Sequence, residues 1–546
     1  MRLSALGGLC TLALLGTGSF GSASEVGQGG VFSVIEIPFQ GPAQSALDSP
    51  ARDIELKATF RHVSSAEVTV LGFHFSGNRF VIRFCPTLIG RWDLASVQSN
   101  IPELHGQHVG GFVTATESSH HGFWVVDQES NGRRWYRRSD GTHPYVFGNT
   151  HYTFLTEMTN QGESASNIAN DVIANSRYFK KLRFALTGDR YPHPKEKPFL
   201  DNEGRPTDDG DNSHRPNPKW FSDRVDVAVR TAFDQDLIAD LILAGPDTER
   251  SRATLRSNAN RGDATPYLRY IAARYGSYPN VWICLCNEYD IKKPKWESAS
   301  IASIGMKMRG YLPYPTPLSV HASQHPLHGP KTQSEPAWSP DFDKLPIWND
   351  HQILQRKLLV LSDSADVISA TWDHRRDADR WGPTINDELS YQGLGDKHAE
   401  ADTIEAHLGA FLGGGYASTG EKHGNKLGQY FWGNFNPDTH SAARSLGWLR
   451  QQIDQYIAFW NMEPDRSIFP GLNENFRAMA WKENEYVLGT NRQGESVAML
   501  PRGEWTITQS DVIARQRSIL SKTASGKFVF RTPDSRAVLF HFQKNH

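Results

Sequence analysis

The chain has 546 residues, too many for a single hydrophobic core, so two to four domains are expected. Its 58 Lys+Arg balance 60 Asp+Glu for a formal net charge of -2, which argues against a nucleic-acid or membrane-surface partner. Aromatic residues make up 11%, including 15 Trp, enough for large cores and for ring platforms against which sugar C–H faces pack.

Residues 1–23 have the form of a secretory signal peptide. Arg2 is followed by an apolar run over 3–15, then by Gly21-Ser22-Ala23, a small-x-small cleavage pattern. The run is shorter than the ~20 residues a bilayer span requires. Bulky Leu9 before Cys10 argues against a lipoprotein. No later segment is apolar enough to span, so the mature chain is expected to be exported, to the periplasm or the medium. Cleavage would leave Cys85, Cys284 and Cys286. The last two point to the same side of one predicted strand and cannot easily bridge, so no structural disulfide is expected.

From 24 to 130 short strands recur about every ten residues, at 31–37, 54–60, 68–75, 80–84, 111–116 and 122–126. Gly, Asn and Asp punctuate them, as in an antiparallel β-sandwich. From 140 to 462 strands alternate with helices. Candidate strands lie at 145–147, 181–186, 237–244, 281–286, 317–321, 365–370, 383–387 and 413–417, with helices such as 265–275 and 441–459 between. Eight such units suit a (β/α)₈ TIM barrel with long loops. A doubly wound sheet would need a glycine-rich loop after its first strand, which Gly148-Asn149-Thr150-His151 does not supply. From 468 to 546 strands return, at 478–481, 486–490, 496–500, 504–508, 528–531 and 537–542, as in a C-terminal antiparallel β-domain. The polar stretch 201–217 reads as a solvated loop. Its Asp208, Asp209 and Asp211 lack calcium-loop spacing.

Asn-Glu occurs four times, but only Asn287-Glu288 closes an apolar strand, Val-Trp-Ile-Cys-Leu-Cys. A carboxylate there lies where a barrel places its chemistry. Glu388 ends the seventh strand. Strand ends four and seven converge over one mouth, and retaining glycoside cleavage needs two carboxylates about 5–5.5 Å apart. Either Glu alone reads best as a salt-bridge or helix-start residue; the pair at matching strand ends favours catalysis. Asn287 can hold a sugar 2-hydroxyl, and Arg183 can keep Glu388 ionised or simply line the barrel. His151, Tyr152, His321, Trp372, His374 and Tyr391 lie at or beyond other strand ends. Singly each reads as structural; together they outline a polar, aromatic cleft. Glu421, after the eighth strand, is a third carboxylate and a rival to Glu388, and Trp432 follows as a stacking face.

Gly415-x-x-x-x-Gly420-Glu421-Lys422 approaches a phosphate loop, but Glu421 stands in the lysine's place. No Gly-x-Ser-x-Gly elbow, His-Glu-x-x-His helix or Cys-x-x-Cys pair occurs. Neither metal nor cofactor is expected, and the oligomeric state stays open.

These residues resemble clan A glycoside hydrolases, and more narrowly the apiosidase-like bacterial subgroup. Val34-Ile-Glu-Ile-Pro-Phe-Gln-Gly-Pro42, Val81-Ile-Arg-Phe-Cys-Pro86 and Gly90-Arg-Trp92 are similar to its N-terminal β-domain. Tyr267-Leu-Arg-Tyr-Ile-Ala-Ala-Arg-Tyr275 with Asn287-Glu288-Tyr289 is similar to its acid/base segment. Asp387-Glu388 with Tyr391-Gln-Gly393 is similar to the nucleophile segment, and Gly413-Gly-Gly-Tyr416 through Gly420-Glu421 to the one after it. The resemblance implies Glu288 as acid/base, Glu388 as nucleophile, a carbohydrate substrate, and a C-terminal β-domain of the kind labelled collagen-binding in relatives. Nothing in these residues points to collagen. Two departures bear on substrate choice: Gln392 where Tyr-Glu-Gly is usual, and Asn149-Thr150-His151 after the first strand. The competing reading is a carbohydrate-binding protein on an inactive barrel.

Overall fold

The computed structural model describes residues 24–129, 133–156, 166–187, 196–245, 248–256, 264–290, 293–322, 348–377, 382–395, 397–424, 428–472 and 475–545. The signal segment expected at 1–23 lies outside them.

Seven strands form the N-terminal sheet, in the order Glu25–Gly30, Phe112–Thr116, Gly90–Ser99, Leu56–His62, Glu67–Ser76, Arg79–Phe84, Ile35–Gln40. Leu56, Ala58 and Phe60 are buried while Lys57 and Arg61 face out, the period of two that half-buried strands require. The Phe60 ring stacks on Phe84 with centroids 4.0 Å apart, and Trp92 is sealed against Phe84. The sequence pattern missed Glu25–Gly30, whose glycines give no strand signal, and Gly90–Ser99. The former pairs parallel with Phe112–Thr116; the other partners are antiparallel.

The middle of the chain is a TIM barrel. Its strands are β1 (Phe147–Thr150), β2 (Lys181–Ala185), β3 (Ile238–Ala244), β4 (Val281–Cys286), β5 (Leu318–Ser319), β6 (Gln352–Leu354), β7 (Thr384–Leu394) and β8 (Tyr416–Gly424). They lie in the order β5-β4-β3-β2-β1-β8-β7-β6, with every pairing parallel. A parallel bridge from His321 to Ile353 joins β5 to β6 and closes the ring. β2, β3 and β4 are buried at every residue, because helices cover one face and the barrel interior the other.

One strand expectation is overturned. Residues 365–370 lie inside the helix Leu361–Asp377. Leu361, Ser364, Ala365, Ile368, Thr371, Trp372 and Arg375 are buried at helical spacing, a period that a six-residue window conceals. The sixth strand is instead the three-residue Gln352–Leu354, too short to show a pattern.

The C-terminal domain has a six-stranded sheet in the order Glu463–Pro464, Phe476–Trp481, Glu485–Thr490, Val538–Lys544, Trp505–Asp511, Gln516–Ala524. A second sheet pairs Gly494–Met499 with Lys527–Thr532. The strand Gln516–Ala524 was not expected, being polar and almost wholly exposed at the sheet edge. In the 201–217 loop, Asp208 pairs with Lys197 and Arg250, and Asp211 with Arg256. Among the described residues no helix is long and apolar enough to cross a membrane.

Candidate active site

Two different backbone devices present the two glutamates. At the end of β4, Glu288 takes φ 45°, a left-handed conformation that costs a non-glycine residue roughly 1–3 kcal/mol. Its surroundings hold it there. Buried Arg252 donates to the Asn287 carbonyl and, at 3.1 Å, to that of Glu288. The His321 N–H donates to the Cys286 carbonyl, and Tyr289 N–H to the His321 carbonyl, each at 3.1 Å. The Glu288 carboxylate accepts a hydrogen bond from Gln355 Nε2 at 2.7 Å.

Glu388 sits in a bulge. β7 pairs with β8 at Asn386–Ala417 and next at Ser390–Thr419. Four residue steps along β7 therefore span two along β8, and the excess around Glu388 bows out of the ladder, which re-aims side chains. Asp387 is directed into the barrel, where Ser418 Oγ donates to it at 2.6 Å and Lys181 pairs with it. Lys181 also reaches Asp240 at 3.1 Å. Glu388 turns to the mouth. Its Oε2 accepts from Lys357 Nζ at 2.5 Å and its Oε1 from the Tyr152 hydroxyl.

One hydrogen-bonded path links the two strand ends. Arg183 Nη1 donates to the Tyr152 oxygen at 2.9 Å, and Arg183 Nη2 to Asn287 Oδ1 at 2.8 Å. His321 Nδ1 lies 2.9 Å from the same Arg183 nitrogen and pairs with Asn287 Oδ1. Burial alone would raise the Glu388 pKa. Lys357 above all, then His321 and Arg183, overcome that and lower it to about 2, so the carboxylate is ionised at neutral pH. Burial, then Arg183, drives His321 down to about 3, so it is neutral there. Burial pushes the Tyr152 hydroxyl well above its usual range, and nearby Glu388 adds to that, so it stays protonated and donates.

The structure thus gathers Glu288, Glu388, Asn287, Arg183, Tyr152 and His321. Tyr391 borders them, with Lys357 Nζ 4.2 Å from its ring centroid and the Tyr430 ring 5.0 Å away. Glu421 is buried on β8 and accepts the Gln429 N–H at 2.9 Å, at the start of the turn Gln429–Trp432 that carries half-buried Trp432. Three expected cleft residues lie elsewhere. His151 is fully buried, its Nδ1 2.6 Å from Asp171 and its Nε2 3.2 Å from Asn149, so both ring nitrogens are engaged behind the site. Trp372 is on the helix that replaces the expected sixth strand. Its ring packs on Arg134, 3.6 Å from centroid to guanidinium, and Arg134 abuts Gly414 just before β8 begins. That is the opposite end of the barrel from the mouth. His374 belongs to the same helix.

Sequence reasoning missed Gln355, Lys357 and Arg252. The first two follow β6, so the misplaced sixth strand hid them. Arg252 acts on backbone carbonyls, which leave no trace in residue type.

Residues 130–408 match the model of the apiosidase-like catalytic domain, and 28–98 match a domain of unknown function, DUF5060. Among solved structures the chain is similar to a Bacteroides vulgatus ATCC 8482 protein described as a candidate glycoside hydrolase. They share 20% identity and a TM-score of 0.73, over 96% of this chain and 100% of that one. A glycoside hydrolase of family 5 from the same organism is similar at 12% identity and TM-score 0.58, over 78% of this chain and 94% of its own. A third chain, named a glycoside hydrolase, is 13% identical with TM-score 0.59, over 78% and 97%. At these identities the likeness is one of fold. No curated protein matches the chain.

Proposed function

The chain belongs to the apiosidase-like family of glycoside hydrolases, and on that premise we propose that it is an exported enzyme cleaving an oligo- or polysaccharide with retention of configuration. The observation that carries the mechanism is the Glu388 environment. A carboxylate presented at the barrel mouth and kept ionised by Lys357 and Arg183 suits a nucleophile. Glu288, at the matching end of β4, suits the acid/base.

In the first step Glu388 attacks the anomeric carbon, the glycosidic C–O bond breaks, and the leaving oxygen takes the Glu288 proton. In the second, Glu288 takes a proton from water. The water oxygen bonds the anomeric carbon, and the Glu388–sugar bond breaks. Asn287, oriented by Arg183 and His321, holds the sugar 2-hydroxyl. Tyr391, Glu421 and Trp432 form the β7–β8 wall of the cleft.

A screen of plant, algal and bacterial polysaccharides identifies the substrate, and proton NMR of the fresh product reads the anomer. A product of inverted configuration would exclude the retaining reading. Azide should restore turnover to Glu288→Ala on an activated aryl glycoside. A 2-fluoro sugar should trap an adduct on Glu388; an adduct on Glu421 would reassign the nucleophile. Sugar binding without turnover across the whole panel would favour a binding protein instead. Export rests on Arg2, the apolar run and Gly21-Ser22-Ala23. The mature N-terminus of protein recovered from the periplasm or medium tests it.

A further inference from the structure

The stretch that leaves β6 touches both glutamates. Gln355 Nε2 donates to Glu288 Oε1 at 2.7 Å, and Lys357 Nζ to Glu388 Oε2 at 2.5 Å. The residue between them is clasped twice by a β7 side chain: Arg356 N–H donates to Asn386 Oδ1 at 3.1 Å, and Asn386 Nδ2 to the Arg356 carbonyl at 2.9 Å. A buried amide here takes the place of a paired strand, beyond the three residues over which β6 and β7 form a ladder. The clasp fixes the Gln355–Lys357 backbone against the strand that bears Glu388. Leu358 N–H, donating to the Leu389 carbonyl at 2.9 Å, pins the far side of the bulge.

We propose that Gln355 and Lys357 are positioning residues that set the opposed protonation roles of Glu288 and Glu388, with Asn386 as their anchor. The inference rests on the reading of Glu388 as nucleophile and Glu288 as acid/base.

The groups facing Glu388 come from several elements. Tyr152, after β1, donates to it as a neutral hydroxyl. His321, after β5, stands 4.0 Å away and is uncharged. Arg183, from β2, spends Nη1 on Tyr152 and Nη2 on Asn287, so its charge acts one residue removed. Lys357 is the cation in direct contact. Its side chain is 21% exposed, against 0% for Arg183, and its ammonium also lies over the Tyr391 ring. An ammonium at this distance favours the ionised carboxylate against the burial that opposes it. Partial exposure lets it swing aside when a sugar enters and frees Oε2 to attack. Gln355 carries no charge, so it orients Glu288 and leaves the acid able to cycle its proton.

The test is the pH profile of kcat/KM on the 4-nitrophenyl glycoside that the enzyme turns over best. Lys357→Met should move the acid limb up by about one pH unit or more, because Glu388 then protonates more readily. Lys357→Arg should restore it, and Lys357→Gln repeats the measurement if Met impairs folding. Gln355→Leu should move the alkaline limb and leave the acid limb in place. An acid limb unmoved in both neutral Lys357 variants, while Glu388→Gln is inactive, overturns the clamp and leaves the nucleophile reading intact. Turnover persisting in Glu388→Gln defeats the reading on which the clamp rests.

Discussion

Two buried carboxylates, Asp226 and Glu388, both face cationic side chains, and the contrast between them separates a structural joint from the proposed reactive site. Asp226 lies where the N-terminal sheet meets the barrel. Arg83, from the strand Arg79–Phe84, donates to it at 2.8 and 3.2 Å, and Arg274, from the helix Thr265–Tyr275, at 2.7 and 3.0 Å. Both guanidiniums are fully buried, and both carboxylate oxygens are saturated by bidentate partners. Burial works against the Asp226 charge, but Arg274 and Arg83 hold its pKa far below the usual range. Glu388 has one direct cation, on a partly exposed side chain, and its Arg183 acts through Tyr152. A saturated carboxylate has no lone pair left for chemistry. One held ionised by a single, partly exposed lysine suits the nucleophile role proposed for Glu388.

The largest expected effect breaks the reactive side. Glu388→Gln should lower kcat by about a thousandfold or more. Activity within tenfold of wild type would dissolve the contrast. The joint should behave in the opposite way. Asp226→Asn leaves two buried guanidiniums without their counter-charge and should cost about 3–5 kcal/mol of unfolding free energy, with kcat of the folded fraction unchanged. A loss under about 1 kcal/mol would show that the arginines find other acceptors.

A pH series sharpens the comparison. The pKa of Glu388 is about 2 in the fold and lies in the ordinary carboxylate range when unfolded, so its stabilisation is complete above that range and fades as pH falls toward 2. The stability gap between wild type and Glu388→Gln should therefore shrink between about pH 6 and pH 3. A gap that widens on acidification would reverse the assigned sign. The smallest effect is expected at Glu421. Its carboxylate is tied to the Gln429 N–H, so Glu421→Gln should cost about tenfold in kcat and leave turnover measurable. Complete loss there would make Glu421 the better nucleophile.

By itself the sequence determined the architecture and singled out the two candidate glutamates. Period-two alternation marks Leu56–His62, and unbroken apolar runs mark Ile238–Ala244 and Val281–Cys286, because burial on one face or two writes itself into residue order. Asn287-Glu288 was legible because it closes such a run. What only the tertiary structure decided arises between segments distant in the chain. The left-handed turn at Glu288 depends on Arg252, which comes 36 residues earlier. The bulge at Glu388 exists only as a mismatch between β7 and β8. Trp372 and His151 passed from expected cleft residues to the far end of the barrel and to the packing behind the site. Helical period moved the first, and a buried Asp171 held the second. Lys357 could not be recognised as the partner of Glu388 until three residues of β6 were seen to lie beside β7. So short a strand carries no periodicity, and its place is fixed by the closure of the ring.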